Sequence, residues 1–250
     1  NRIIPLLLLK EDVLVKGQKY KNFRYLGDPI NAIKIFNDKE VDELFFFDIL
    51  ASKEKRCISL DIVGKIAEEC FMPFGVGGGI TNIDQARRIL RAGAEKISIN
   101  TSSILNKDLI TEISQEFGSQ SLVVSLDITK NFFGTKRISY MNGSQTNSND
   151  INNWAKKIES LGAGAILVNC VYNDGLMQGY DLDLIGQISK AVNIPVIASC
   201  GAGKVGDFAK LFLQTEASAA AAGSLFVFHG KHRAVLINYP SHKDKTNLIR

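Results

Sequence analysis

The chain has 250 residues, 45% of them hydrophobic, and its 30 Lys and Arg outweigh 26 Asp and Glu for a formal net charge of +4. That length and apolar content can bury one sizeable core without a second domain, and the mild basic excess suits anionic small molecules. It lacks the basic stripe interleaved with aromatics that nucleic acid calls for, and no apolar run approaches the roughly 20 residues of a membrane span.

The start, Asn1-Arg-Ile-Ile-Pro5, runs straight into a strand with no signal peptide. Cys57, Cys70, Cys170 and Cys200 are widely spaced and lack a Cys-x-x-Cys pair. Reduced thiols in a cytoplasmic protein are therefore expected, with no metal site and no cofactor.

Short β-branched or apolar runs alternate with amphipathic stretches along the chain. The first half reads as strand Arg2–Leu9, helix Pro29–Asn37, strand Glu43–Asp48, helix Leu60–Phe71, strand Phe74–Gly77, helix Ile83–Ala92, strand Lys96–Asn100 and helix Asp108–Phe117. The second half reads as strand Leu122–Asp127, helix Asp150–Leu161, strand Ala165–Cys170, helix Asp183–Ala191, strand Pro195–Ser199, helix Val205–Leu213, strand Ser218–Ala222 and a ragged last helix near His229–Leu236. Thr81-Asn-Ile-Asp84 and Asn149-Asp150 fit helix N-caps, and Gly118 and Gly162 fit helix stops. Eight strands alternating with helices predict an α/β protein, a closed (β/α)8 TIM barrel filling residues 1–250 as one domain.

Two connections exceed ordinary strand-to-helix loops. Lys10 to Gly27 carries Lys10, Lys16, Lys19, Lys21 and Arg24, and predicts a basic, mobile loop that closes over phosphate; Thr129 to Asn149 holds Asn142-Gly143 and predicts a hairpin. Both follow strands and so belong to the catalytic rim, although either could be plain surface decoration.

The halves also repeat. Pro73-Phe-Gly-Val-Gly-Gly-Gly-Ile80 recurs as Pro195-Val-Ile-Ala-Ser-Cys-Gly-Ala202, and Lys96-Ile-Ser-Ile-Asn-Thr-Ser102 as Ala219-Ala-Ala-Ala-Gly-Ser-Leu225, about half the chain later each time. A repeat that long fits two half-barrels rather than a solenoid. Each copy ends in small or hydroxyl residues just past a strand, where backbone N–H groups can reach an anion. Two such sites imply a long ligand phosphorylated at both ends.

Strand ends supply the candidate chemistry. Asp127 terminates the buried run Leu122–Leu126, where a carboxylate can work as acid or base, or simply cap the next turn. Asp174 precedes Gly175, a pairing that serves a ligand or an ordinary turn.

Together, Arg2-Ile-Ile-Pro5, Lys16-Gly17, Gly27-Asp-Pro29, Val76-Gly-Gly-Gly-Ile80, Ala92-Gly-Ala-Glu-Lys-Ile-Ser-Ile-Asn100, Phe117-Gly-Ser-Gln120, Asp127, Asp174-Gly175, Gly179-Tyr-Asp181 and Ile194-Pro-Val-Ile-Ala-Ser199 resemble the cyclase subunit of imidazole glycerol phosphate synthase, the HisF family, from Arg2 to about Phe228. The resemblance implies a barrel that receives ammonia from a glutaminase subunit docked at its floor, forming a heterodimer. It also implies a bis-phosphorylated ribulosyl-aminoimidazole substrate, converted to imidazole glycerol phosphate and a carboxamide ribotide. Its phosphate positions fall on Gly79, Asn100 and Thr101 in one group and Asp174, Gly175, Gly201, Gly223 and Ser224 in the other, with Lys16 of the first long connection a further phosphate contact. Its floor ring of charges falls on Arg2, Glu43 and Lys96, with Ala165 where the family is acidic; the plainer alternative is a solvated Lys96–Glu43 pair. Its two acid–base aspartates fall on Asp127 and on Leu8, and a leucine cannot move a proton. Glu11 or Asp12 could replace it only through a rearranged loop.

Leu8, Pro5-Leu-Leu-Leu-Leu-Lys10 and Tyr25-Leu-Gly-Asp-Pro-Ile-Asn-Ala32 resemble a branch of the family associated with acetamidino modification of surface-polysaccharide sugars. There the resemblance implies a further partner, an ATP-dependent sugar amidotransferase, since this chain carries neither an ATP-binding loop nor a glutaminase cysteine context. Three functions follow in order: an ammonia-transferring subunit of that branch, the histidine-pathway cyclase, and a non-catalytic barrel that conducts ammonia and activates its glutaminase.

Overall fold

In a computed structural model, which describes residues 1–147 and 150–241, eight parallel strands close into a barrel. The barrel strands are, in order, Arg2–Lys10, Leu44–Asp48, Phe74–Gly77, Lys96–Ile99, Leu122–Lys130, Ala165–Cys170, Val196–Ser199 and Ala219–Ala222. Each pairs with its neighbour, and the ring closes where the eighth lies beside the first, Arg2 opposite Ala219 through Pro5 opposite Ala222. The predicted (β/α)8 TIM architecture is therefore present.

Helix starts follow local chemistry. Asp28, Ser59, Asn82, Asp150 and Asp181 each accept a hydrogen bond from the backbone N–H three residues on, satisfying a donor that the first helical turn leaves open. Asn149 lies outside the described residues. Gly118 ends its helix at φ +83, a conformation that glycine adopts at little cost.

Three departures from the expected elements shape the site. The first long connection is a two-stranded ribbon, Val13–Gln18 and Lys21–Gly27, continuing antiparallel from the first barrel strand. Its apolar run Val13-Leu14-Val15 pairs with that strand, and Leu14 and Val15 are buried. The fifth barrel strand likewise overruns Asp127 to Lys130 and pairs with Lys136–Tyr140, which pairs in turn with Gln145–Asn147 around Asn142-Gly143. The expected last helix at 229–236 is absent. The polar run His229–Arg233 offers no apolar stripe and contains Gly230 at φ +69, so the chain forms Phe228–His229 against Ala234–Val235.

The barrel lumen is filled by Ile4, Phe45, Val123, Ala165, Leu167, Ile197, Ala219 and Ala221, a cluster separate from the larger core that includes the helices' buried faces. Phe45 and Phe47 stack with ring centroids 5.8 Å apart. Glycines on the third strand make the room: a Cβ on Gly75 would come 2.4 Å from the Phe45 ring, and one on Gly77 2.7 Å from Phe47. Gly75→Ala should therefore cost about 1–3 kcal/mol by overpacking. Adding Phe45→Leu should return part of that loss in a double-mutant cycle read by chemical denaturation.

Candidate active site

At the C-terminal ends of the strands opens a cavity of about 810 Å³. Leu8, Asp48, Gly79, Asn100, Thr101, Asp127, Asp174, Gly175, Gly201, Gly223 and Ser224 all face it, so every predicted phosphate and acid–base position gathers in one place. The volume suits a ligand of small-molecule size.

Asp127 is 6% exposed, and its Oδ1 accepts a hydrogen bond from Asn169 Nδ2 at 2.8 Å. The Tyr20 hydroxyl, reaching in from the first ribbon, donates to the same carboxylate. Burial lifts the Asp127 pKa to about 6, the two hydrogen bonds pull it back in part, and Asp174 adds a small upward push. A carboxyl poised there can exchange protons near neutrality. Burial first, then the nearby charge of Asp127, keeps the Tyr20 hydroxyl protonated well above its ordinary range.

Leu8 is 8% exposed and pairs with Phe47 and Val15, an apolar wall where a second carboxylate was sought. Glu11 and Asp12 do not replace it. They form an exposed tight turn at φ +52 and +61 and are not among the residues lining the cavity. Asp48 is engaged elsewhere, accepting from the Leu50 and Ala51 N–H groups and pairing with Arg56 at 2.5 Å. Cys200 faces the cavity as a poor nucleophile, because burial pushes its thiol pKa up.

Lys16 also lines the cavity, with its charge already answered. It is 6% exposed and forms a 2.5 Å ion pair with Asp174, itself 4% exposed. Asp174 also accepts from the Tyr20 N–H at 3.4 Å, and its carbonyl accepts from the Lys19 N–H at 3.1 Å. The basic first connection is thus strapped across the mouth to the sixth strand's loop. The second ribbon is tied down by Lys136 to Asp181 at 2.7 Å, while its tip donates from Met141 N–H to Thr101 Oγ1 and from Asn142 Nδ2 to Ile49 O.

The conspicuous glycines have a packing duty as well. A Cβ on Gly79 would sit 1.8 Å from Arg56 O, on Gly201 2.1 Å from Gly179 O, and on Gly175 2.5 Å from Gly17 O. Close backbone approach explains them, and the same absence of side chains leaves nearby N–H groups accessible to an anion.

At the opposite end, Glu43 is 1% exposed between Arg2, whose Nη1 lies 2.5 Å from Oε2, and Lys96, whose Nζ bonds Oε1. The alternative of a solvated Lys96–Glu43 pair is overturned for Glu43. Two cations face one buried anion, and Ala165 adds no charge.

Tyr20 and Asn169 were missed as contacts of Asp127. Asn169 was legible as the strand-end neighbour of Asp127, whereas Tyr20 depends on the ribbon's path.

The barrel and its cavity define a (β/α)8 protein whose polar groups converge at the C-terminal strand ends, the face where this fold carries its chemistry. The family profile described as "Histidine biosynthesis protein" matches residues 2–233. The chain is 48% identical over 240 residues to a Pseudomonas aeruginosa protein provisionally named imidazole glycerol phosphate synthase subunit hisF2, covering 96% of each. It is 46% identical to a Vibrio vulnificus protein provisionally named subunit hisF3, covering 100% of this chain and 96% of that one. Imidazole glycerol phosphate synthase subunit HisF of Alkaliphilus metalliredigens is 42% identical, with 92% and 91% covered. The chain belongs to the HisF family of cyclase subunits.

A folded-state pKa raised for an acid weakens the fold once the unfolded chain has ionised. Here the loss of stability begins near 3.8 and is complete above about 6. Asp127→Asn should therefore raise stability above pH 6 by about 1–3 kcal/mol while leaving it little changed below pH 4, which denaturant titrations at both pH values would read.

Proposed function

We propose that this protein is the synthase subunit of a glutamine amidotransferase pair. It binds a bis-phosphorylated aminoimidazole substrate across its rim and combines it with ammonia supplied by a glutaminase docked at its floor. The observation that carries the reading is the buried Asp127, tuned to about 6 and facing a cavity that also gathers both predicted phosphate groups. Gly79, Asn100 and Thr101 would hold one phosphate, and Gly175, Gly201, Gly223 and Ser224 the other. Lys16 and Asp174 hold the first ribbon over the mouth and exclude water. The names of the relatives support the cyclase of histidine biosynthesis as the reaction; in it Asp127 would act as both acid and base.

A second reading, the acetamidino branch with its sugar amidotransferase partner, draws its support from Leu8. Removing one of two acid–base groups typically costs about 10²- to 10⁴-fold in rate. Supplied with ammonium salts and the ribulosyl-aminoimidazole substrate, the wild-type protein should turn over within that deficit relative to a relative with both aspartates, and Leu8→Asp should recover part of it. Complete absence of turnover in the wild type, with none regained by Leu8→Asp, would reject the cyclase in favour of the second reading.

The floor gives an independent test of the partner. Arg2, Glu43 and Lys96 lie at the strand starts, a barrel's length from Asp127, so ammonia entering there must pass the Phe45–Phe47 stack. Lys96→Glu should weaken glutaminase docking or uncouple glutamine hydrolysis from product formation, while ammonium-driven product formation stays largely intact. Equal loss of both would assign Lys96 to fold stability instead.

A further inference from the structure

The hairpin that replaces the expected last helix brings a side chain beside two residues of the rim. Arg233 closes its turn, with its N–H bonded to Gly230 O at 3.0 Å and its backbone at φ +53. That left-handed conformation costs a non-glycine residue about 1–2 kcal/mol, so other contacts must hold it. Arg24 of the first ribbon donates from Nη1 to Arg233 O at 2.9 Å, and both guanidinium groups lie against the Phe228 ring, at 5.9 and 4.7 Å from its centroid. Arg233 is thereby held against two residues of the second expected phosphate position. Its Nη2 reaches Gly175 O at 3.2 Å and Ser224 Oγ at 3.5 Å.

Charge decides what this guanidinium is for. Lys16, the other cation beside Gly223, is already neutralised by Asp174. Among the described residues Arg233 has no ion-pair partner, and only Nη2 makes a hydrogen bond, to neutral oxygens. A surplus positive charge with a largely unused planar fork therefore stands beside the hydroxyl of Ser224, a residue that lines the cavity. A phosphate monoester matches that arrangement in charge and in geometry.

We propose that Arg233 is the cationic ligand of a phosphate monoester at the Gly175–Ser224 side of the rim, a role the hairpin makes possible and a terminal helix would not. This rests on the two-phosphate reading of the cavity and names the side chain that anchors one end. It predicts that the two ends of the substrate are held differently, one by a guanidinium and the other at Gly79, Asn100 and Thr101.

The full chain, labelled for amide resonances, is titrated with inorganic phosphate. The wild type should show saturable shifts at Gly175 and Ser224, and Arg233→Gln should weaken binding there by about 10- to 100-fold, the worth of a hydrogen bond to a charged group. Shifts at Gly79 and Thr101 should titrate alike in both proteins. Undiminished affinity at Gly175 and Ser224 in Arg233→Gln overturns the role of Arg233 alone. No shift at those amides in the wild type overturns it together with the two-phosphate reading. A measurement that needs no variant is protection of Arg233 in the wild type from a dicarbonyl reagent, followed by mass spectrometry. Phosphate should slow its modification at least severalfold, and an unchanged rate would count against the assignment.

Discussion

The pairing between the fifth and sixth barrel strands supports both the fold and the site. Six residues run in register, Ala165 opposite Val123 through Cys170 opposite Ile128, and this seam helps turn a sheet into a closed barrel. The same register sets Asn169 opposite Asp127, and the amide then donates to the carboxylate. A slip of one residue would turn every side chain on the strand to the other face, so closure and the environment of Asp127 are fixed by one set of backbone hydrogen bonds. That coupling lets a carboxyl stay buried. Its desolvation opposes folding, and a seam this extensive can sustain it.

The barrel has a direction, set by which residues alternate into the lumen. From the floor upward Glu43, just before the second strand, is followed by Phe45 and Phe47 on it, while the adjacent third strand contributes Gly75 and Gly77 beside them. Large against small fills the lumen at high density, as close packing requires. The charged floor and the polar rim are thereby separated by an apolar layer. A small neutral molecule can cross such a layer far more readily than an ion, because burying an unpaired charge is so costly.

Much of this architecture was legible in the sequence, because the barrel strands are short apolar runs bounded by Gly, Pro and polar residues. Phe74–Gly77 and Ala165–Cys170 have the expected bounds, and every other barrel strand agrees to within a few residues. The two rim ribbons were only half legible. Asn142-Gly143 announces its own turn, whereas Val13-Leu14-Val15 carried a strand signal inside a segment otherwise read through its lysines. The last element failed because a helix was supplied to complete the alternating pattern, although Gly230 sits inside a run without apolar periodicity. The positions of Arg233 and Tyr20 follow from how the ribbons pack across the mouth, information that lies in tertiary contacts rather than in local residue order. The chemical identity of the strand ends was readable; their engagement was not, since Lys16 reads as a free cation until its partner Asp174 is placed 158 residues away.

Leu8 puts a buried apolar side chain, not a charge, into the wall of the rim. Two carboxylates sharing a dry site repel, and one of them is driven to hold its proton. With Leu8 in the wall, Asp127 is acted on by burial, two hydrogen bonds and a minor push from Asp174, whose charge Lys16 answers at 2.5 Å. Burial dominates, and the result near 6 follows from desolvation moderated by Asn169 and Tyr20 rather than from competition between acids. A group with that pKa is populated in both protonation states at pH values near neutrality, the condition a single residue must meet to take a proton in one step and return it in another. Tyr20 cannot share this duty as a base, since burial holds its own proton firmly, but its hydroxyl keeps the carboxylate oriented and the pKa from climbing further. With apolar Leu8 in the wall, Asp127 therefore stands in the range where acid and base roles can alternate.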